Sequence, residues 1–406
     1  MFNFDTIESF KSISTPFYYY DLNLLDENLK ALSSLIKKHD LHVHYAMKAN
    51  TNEPILERIH EAGLGADCVS GNEIERALQV GFSPNKIVFA GVGKTDEEIQ
   101  YALRHEIACF NVESIHELIV IDEIASEMGL TANIALRINP DVDGKTNEKI
   151  TTGTRYDKFG ISLSEISEVC ELLPQLEHLN FLGLHFHIGS QITKLDVFRR
   201  LSLQINQIQS QFTDAGFQIN ILNLGGGLGV DYSQPDENPI PDYENYFATF
   251  LHHLEIQPGQ QLHFELGRSV VAACGSLISK VLHLKNSGGL QFAIVDAGMN
   301  DLMRPALYNA SHKITNLTGI GTEQDYQVAG PVCESSDIFG KNISLPQLTR
   351  GDLLAIRTTG AYGQVMSSNY NLRKPAKAFY SSEFNSCSND TKDIRINSRL
   401  AEALNQ

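Results

Sequence analysis

The stretch His42-Val43-His44-Tyr45-Ala46-Met47-Lys48 alternates apolar and polar residues and ends on a lysine. Alternation of this kind reads as a strand. Directly after it, Ala49-Asn50-Thr51-Asn52-Glu53-Pro54 reads as the opening of a helix, with Pro54 in the first turn, where its missing N–H costs nothing. A strand handing over to a helix is half of a repeating unit. The lysine at the hand-over stands over whatever the strand ends enclose. A lysine so placed most often snorkels into water; desolvated, its amine is a nucleophile for a carbonyl carbon.

The unit recurs. Strand-like runs lie at 42–47, 64–68, 86–90, 108–112, 132–139, 181–188, 220–224 and 262–266, with amphipathic helical runs at 72–80, 95–103, 114–128, 195–212 and 243–254 among them. Eight strands alternating with helices over about 230 residues predict an α/β fold of the (β/α)8 barrel type, which typically takes ~250. An open doubly wound sheet would want a GxGxxG turn after its first strand, and none is present.

Upstream, Thr15-Pro16-Phe17-Tyr18-Tyr19-Tyr20-Asp21 is strand-like, and 22–36 has apolar residues at helical spacing. After Arg268 the pattern changes to short runs at 277–284, 292–295, 326–329, 353–358 and 376–379, separated by Gly, Pro, Asn and Asp. This predicts a second, mainly antiparallel β domain, a barrel or sandwich. The expected division is a barrel over 22–270, and a β domain of 271–406 with 1–21 packed on it. The long connection between Asn139 and Ile161 reads as a partly ordered cover at the strand C-terminal ends.

Composition narrows the function. The 406 residues carry 32 Lys and Arg against 49 Asp and Glu, a net charge of −17, which argues against nucleic acid or an anionic membrane as partner. Small anionic ligands remain open, because a few local arginines can hold them. No apolar run approaches the ~20 residues of a membrane span, and Met1-Phe2-Asn3-Phe4-Asp5 lacks a basic signal start, so a cytosolic protein is expected. The six cysteines are scattered without CxxC or metal-ligand spacing. Cys68, Cys109, Cys170, Cys274 and Cys387 read as buried small hydrophobes.

In a (β/α)8 barrel the strand C-terminal ends carry function. Those ends present Lys48, Asp67, Asn111, Arg137, His185, His187, Gly225-Gly226-Gly227, and Glu265 with Arg268. For Asp67 and Asn111, capping and loop solvation are as good an account as a site. The run Gly225-Gly226-Gly227-Leu228-Gly229 follows the seventh strand, the usual phosphate position in such barrels, which favours an anion seat over a mere tight turn. Glu265 could keep a pyridine nitrogen protonated, or simply form a surface pair with Arg268 worth about 0–1 kcal/mol. His187 could stack on a ring, although spacing alone favours a core histidine.

Several motifs together resemble one family. They are Tyr45-Ala46-Met47-Lys48-Ala49-Asn50, His185-Phe186-His187-Ile188-Gly189-Ser190-Gln191, Gly225-Gly226-Gly227-Leu228-Gly229 and Glu265-Leu266-Gly267-Arg268. Further along come Asp296-Ala297-Gly298-Met299-Asn300-Asp301-Leu302-Met303-Arg304-Pro305-Ala306-Leu307-Tyr308, Gly330-Pro331-Val332-Cys333-Glu334-Ser335-Ser336-Asp337, Gly360-Ala361-Tyr362-Gly363 and Met366-Ser367-Ser368-Asn369-Tyr370-Asn371. The chain resembles the pyridoxal-phosphate enzymes of the alanine-racemase fold class, within the ornithine/diaminopimelate decarboxylase group. The likeness runs from about Thr15 to Pro375, in order and over both expected domains.

The resemblance implies that Lys48 is the Schiff-base lysine, that His187 stacks on the cofactor ring and that Glu265 pairs with its nitrogen. Gly225, Gly226, Gly227, Ser190, Arg268 and Tyr362 would surround the phosphate and the substrate entrance, with Asp67 and Gly267 beside the cofactor. Arg268, Arg304, Tyr308, Glu334 and Tyr362 match substrate-binding positions, and Cys333 matches the proton donor. Cys333 and Glu334 would come from the partner subunit of a homodimer with shared sites. A substrate bearing a second carboxylate and amine suits Arg304 and Glu334, whereas ornithine would leave a buried arginine unpaired at roughly 1–3 kcal/mol. The expected reaction is therefore decarboxylation of meso-diaminopimelate to lysine. The alternatives are a relative acting on ornithine, arginine or carboxynorspermidine, a racemase, which would carry arginine where Glu265 stands, and a non-catalytic homologue, which would have lost Lys48 or Cys333.

Overall fold

The computed structural model describes residues 2–144, 152–153 and 157–384. In chain order its strands are β1 (Phe17–Tyr20), β2 (Leu41–Ala46), β3 (Gly65–Cys68), β4 (Ile87–Phe89), β5 (Cys109–Val112), β6 (Ala132–Arg137), β7 (Leu179–His185), β8 (Ile221–Asn223) and β9 (Gln261–Leu266). There follow β10 (Gly275–Ser287), β11 (Leu290–Val295), β12 (Ile314–Asn316), β13 (Glu323–Ala329), β14 (Ile338–Pro346), β15 (Leu353–Arg357) and β16 (Lys377–Tyr380). The chain divides into two compact units, one of 28–229 with 241–270, the other of the residues up to 27, 230–240 and those from 271 onward.

In the first unit β2 to β9 close into a parallel barrel, β2 pairing with both β3 and β9. The helices Gly71–Val80, Asp96–Arg104 and Ile115–Met128 begin where Ser70, Thr95 and Ser114 accept the N–H three residues on. Each such cap satisfies an otherwise orphaned donor, worth about 1 kcal/mol. Gly81 and Gly129 stop two of these helices in the left-handed conformation that a side chain resists. Phe198, Tyr246, Phe247, Phe250 and Phe264 interlock between Leu195–Asp214, Tyr243–His253 and β9. At about 1.5–3 kcal/mol per fully buried large apolar side chain, this layer clamps β9 in place.

The N-terminal end of the barrel holds histidines. His44 Nδ1 lies 3.1 Å from the Lys86 carbonyl oxygen, and His44 Nε2 lies 3.0 Å from His263 Nδ1. A carbonyl only accepts, so His44 carries its proton on Nδ1 and receives one from His263. The His42 ring stacks on His263 at 4.6 Å.

The second unit is an eight-stranded sheet ordered β12-β15-β10-β11-β13-β14, with β1 joining β10 to β16. Among the described pairings, β1–β16 and β11–β13 are parallel and the rest antiparallel. Phe10, Phe17, Tyr19, Ile278, Leu353 and Phe379 form its core.

Two expectations need correction. Cys170 is only half-buried, unlike Cys68, Cys109 and Cys274; Cys333 is exposed, and Cys387 lies outside the described residues. β12 and β14 carry no run in the sequence reading: β12 is three residues long, and β14 bulges at Asn342, whose φ of 52° breaks the alternation. Of the long connection, 145–151 and 154–156 lie outside the described residues, and its ends meet where Ile138 bridges Ile161.

Candidate active site

β2 runs into a short turn, Met47–Ala49, that carries Lys48. The Tyr45 hydroxyl donates to the Asn50 carbonyl at 2.9 Å, and a side chain at Gly267 would press on Ala46 and Ala49. The turn is thus pinned from both sides, and the lysine with it. Its Nζ meets Asp67 Oδ2, at the end of β3, at 2.8 Å. Asp67 is fully buried, so it is no solvated cap. Burial, and then the nearby Glu265 charge, push its carboxyl up to about 7 against the pull of Lys48. Its Oδ1 is buried without a hydrogen-bond partner.

Across the barrel mouth, Glu265 at the end of β9 is gripped by three donors. Asn111 and Asn223 donate to Oε1 at 2.9 and 2.8 Å, and His185 Nε2 lies 2.9 Å from Oε2. Burial opposes ionisation, yet His185 and Lys48 hold this carboxyl well below the usual range. Asn223 also accepts the Gly225 N–H at 3.0 Å, while the Glu265 N–H donates to the Gly225 carbonyl at 2.8 Å. One carboxamide therefore ties the glycine turn to the carboxylate.

The glycine turn packs against the exit of β7. Side chains at Gly225 and Gly226 would collide with the carbonyls of Phe186 and Glu265, so only glycine fits. The Gly226 N–H donates to His187 Nδ1 at 3.3 Å, and the Ile192 N–H to the Gly227 carbonyl at 2.8 Å. His187 is half-buried; burial and then the Arg137 and Lys48 charges push its pKa well down, leaving a neutral ring. Arg268 reaches Ser190 Oγ through Nε and Nη2 at 3.0 and 2.9 Å. The alternative of a Glu265–Arg268 surface pair is therefore wrong: both are buried, with different partners. Behind them Arg137 pairs with Glu113, which also takes the Gly160 N–H.

The structure thus brings Lys48, Asp67, His187, Ser190, Gly225, Gly226, Gly227, Glu265, Gly267 and Arg268 to one end of the barrel. Asn223 and Glu113 were missed. A polar residue inside a buried strand run was the available signal for Asn223; nothing in the sequence marks Glu113. The cluster fits pyridoxal phosphate: an amine beside a buried, half-satisfied carboxylate, an ionised carboxylate opposite, and a side-chain-free turn near an arginine.

The other expected residues lie in the second unit. Arg304 opens the short helix Arg304–Tyr308, buried, with Nη1 2.7 Å from the Tyr232 hydroxyl and 3.2 Å from His312 Nε2. His312 Nδ1 lies 2.8 Å from the Arg357 carbonyl, so Nδ1 holds the proton and Nε2 accepts from Arg304. Tyr308 and Tyr362 are half-buried, Tyr362 with φ of 55°. Cys333 and Glu334 are exposed. Among the described residues no group of three side chains could hold a metal ion, and no helix is long and apolar enough to cross a membrane.

Residues 22–272 match the family model described as pyridoxal-dependent decarboxylase, pyridoxal binding domain. A diaminopimelate decarboxylase of Bacteroides thetaiotaomicron is 50% identical over 93% of this chain and 98% of its own. One from Vibrio cholerae is 44% identical over 88% and 85%. The crystal structure of diaminopimelate decarboxylase from Helicobacter pylori complexed with L-lysine superposes with a TM-score of 0.86 at 40% identity, covering 92% of this chain and 93% of that one.

Proposed function

The chain belongs to the pyridoxal-dependent decarboxylases, and on that premise we propose that it converts meso-2,6-diaminopimelate to L-lysine and CO2, the last step of lysine biosynthesis. The observation that carries this reading is the Lys48 amine on Asp67, opposite a Glu265 carboxylate kept ionised by Asn111, Asn223 and His185. When bound, the cofactor supplies an aldehyde that takes up the substrate's amine and a protonated pyridine that accepts the electron pair left behind by CO2.

The chain's own residues do the rest. Lys48 would hold the cofactor, and Asp67, pushed up to about 7, can take and return the lysine's proton. Glu265, held ionised, would keep a proton on the ring nitrogen rather than take it. His187, neutral, would stack against the cofactor ring. The backbone of Gly225, Gly226 and Gly227, with Ser190, Gly267, Arg268 and Tyr362, holds the phosphate and shapes the entrance. Arg268, Arg304, Tyr308 and Tyr362 bind substrate, Arg304 gripping the distal carboxylate and Glu334 the distal ammonium. The Cys333 thiol would donate a proton to the carbon that lost CO2 and regain one from solvent. We place Cys333 and Glu334 in the partner subunit's site, in a cytoplasmic homodimer.

Incubation of the protein with pyridoxal phosphate and an amino-acid panel tests this. Equal amounts of lysine and CO2 from meso-diaminopimelate are expected. Faster CO2 release from ornithine would overturn the assignment of Arg304 and Glu334.

A further inference from the structure

Glu334 sits in a segment whose backbone is knotted around one buried carboxylate. Asp337 accepts the Val332 and Met299 N–H groups, each at 2.7 Å. The Gly330 N–H donates to the Asp337 carbonyl at 3.0 Å, and the Asp337 N–H to the Glu334 carbonyl at 3.1 Å. This fixes where residue 334 is, but not where its carboxylate points. An exposed glutamate with three rotatable bonds is a poor specificity element unless something restrains it.

Two hydroxyls restrain it. Tyr370 donates to Glu334 Oε1 at 2.5 Å, and Ser336 to Oε2 at 3.2 Å. The residue after the tyrosine, Asn371, accepts the Cys333 N–H at 3.2 Å. Asn371 and Leu372 both take left-handed backbone, φ 53° and 56°. Leu372 is 90% exposed, so its own packing does not repay that conformation. The turn so held presents the Tyr370 hydroxyl and the Asn371 carboxamide side by side to the Cys333–Glu334 pair.

We propose that Tyr370 is a positioning residue that sets selectivity for a substrate's second amine by aiming the Glu334 carboxylate, with Asn371 holding the adjacent Cys333 backbone. This rests on the reading that Glu334 receives the distal ammonium. A cation in place of the tyrosine would neutralise the carboxylate and compete with the substrate. A hydroxyl instead occupies one lone pair, fixes the orientation and leaves the charge available. Glu334 in turn raises the Tyr370 pKa, which keeps the phenol a donor.

The test compares wild type with Tyr370→Phe on meso-diaminopimelate and on 2-aminopimelate, the same diacid without the second amine. We expect kcat/KM on meso-diaminopimelate to fall about tenfold, mainly through KM, and that on 2-aminopimelate to stay within about twofold. In a Glu334→Gln background, Tyr370→Phe should no longer change the ratio between the two substrates. An unchanged ratio, or equal losses on both substrates with a lowered melting temperature, marks a merely structural tyrosine and overturns the proposal. Lack of preference for meso-diaminopimelate in the wild type would remove the Glu334 assignment itself, and the role of Tyr370 with it.

Discussion

The two ends of the barrel bury titratable groups in opposite ways. At the mouth, Lys48, Asp67 and Glu265 converge, and three side-chain donors are spent on keeping Glu265 ionised. At the floor, His44 and His263 meet at 3.0 Å, and burial, the largest influence on each, pushes their pKa values down, that of His44 to about 4. The floor is a neutral plug that fills space with matched donors and acceptors. The mouth holds charge where burial opposes it. In physical terms, the floor serves stability and the mouth accepts a cost for chemistry.

The largest effect that can break this contrast comes from removing charge at the mouth while sparing shape. Glu265→Gln should lower kcat on meso-diaminopimelate by about a hundredfold or more. At the floor, His263→Gln should lower the denaturation midpoint and leave kcat within about twofold. Steady-state rates and urea unfolding on both variants decide it; a floor variant that loses activity as heavily as the mouth variant would erase the distinction.

A smaller effect appears in the pH dependence of stability, where the two ends have opposite signs. His44 has a folded-state pKa near 4, below its ordinary 6.5, so as pH falls the unfolded chain takes up the proton first. Its contribution, about 3 kcal/mol by linkage, is complete above about 6.5 and is lost between there and about 4. Asp67, raised from 3.8 to about 7, works the other way: the folded state binds its proton first, and stability is gained over the fall from about 7 to about 4. Histidine ring signals followed by NMR should show no His44 titration above pH 5. A titration near 6.5 would contradict the neutral plug.

The barrel was legible because its strands are short apolar runs and several of the helices between them carry their own start signal, as with Ser70, Thr95 and Ser114. Strand ends moved by a residue or a few; the run at 181–188, for example, is the strand Leu179–His185. What the sequence could not convey is partnership across the barrel. Glu265 and Arg268 are three apart and of opposite charge, which suggests a pair, but Glu265 ends β9 while Arg268 opens the short helix beyond it, and they face different neighbours, His185 and Ser190. Asn111 and Asn223 meet on Glu265 from positions 112 residues apart, a closeness made by barrel closure and by no local pattern. In the second unit β14 stayed hidden because a bulge interrupts the alternation on which strand reading depends.

Lys48, at the barrel mouth, is the residue to which we assign the cofactor. That assignment is tested most directly by reducing the pyridoxal-phosphate-loaded protein with borohydride and mapping the labelled peptide. A single label on Lys48 is expected, with loss of both the label and the visible cofactor absorbance in Lys48→Ala. A label on Lys94, whose ammonium donates to the Gly91 and Asn111 carbonyls and to Glu117, or an undiminished label in the variant, would overturn this assignment.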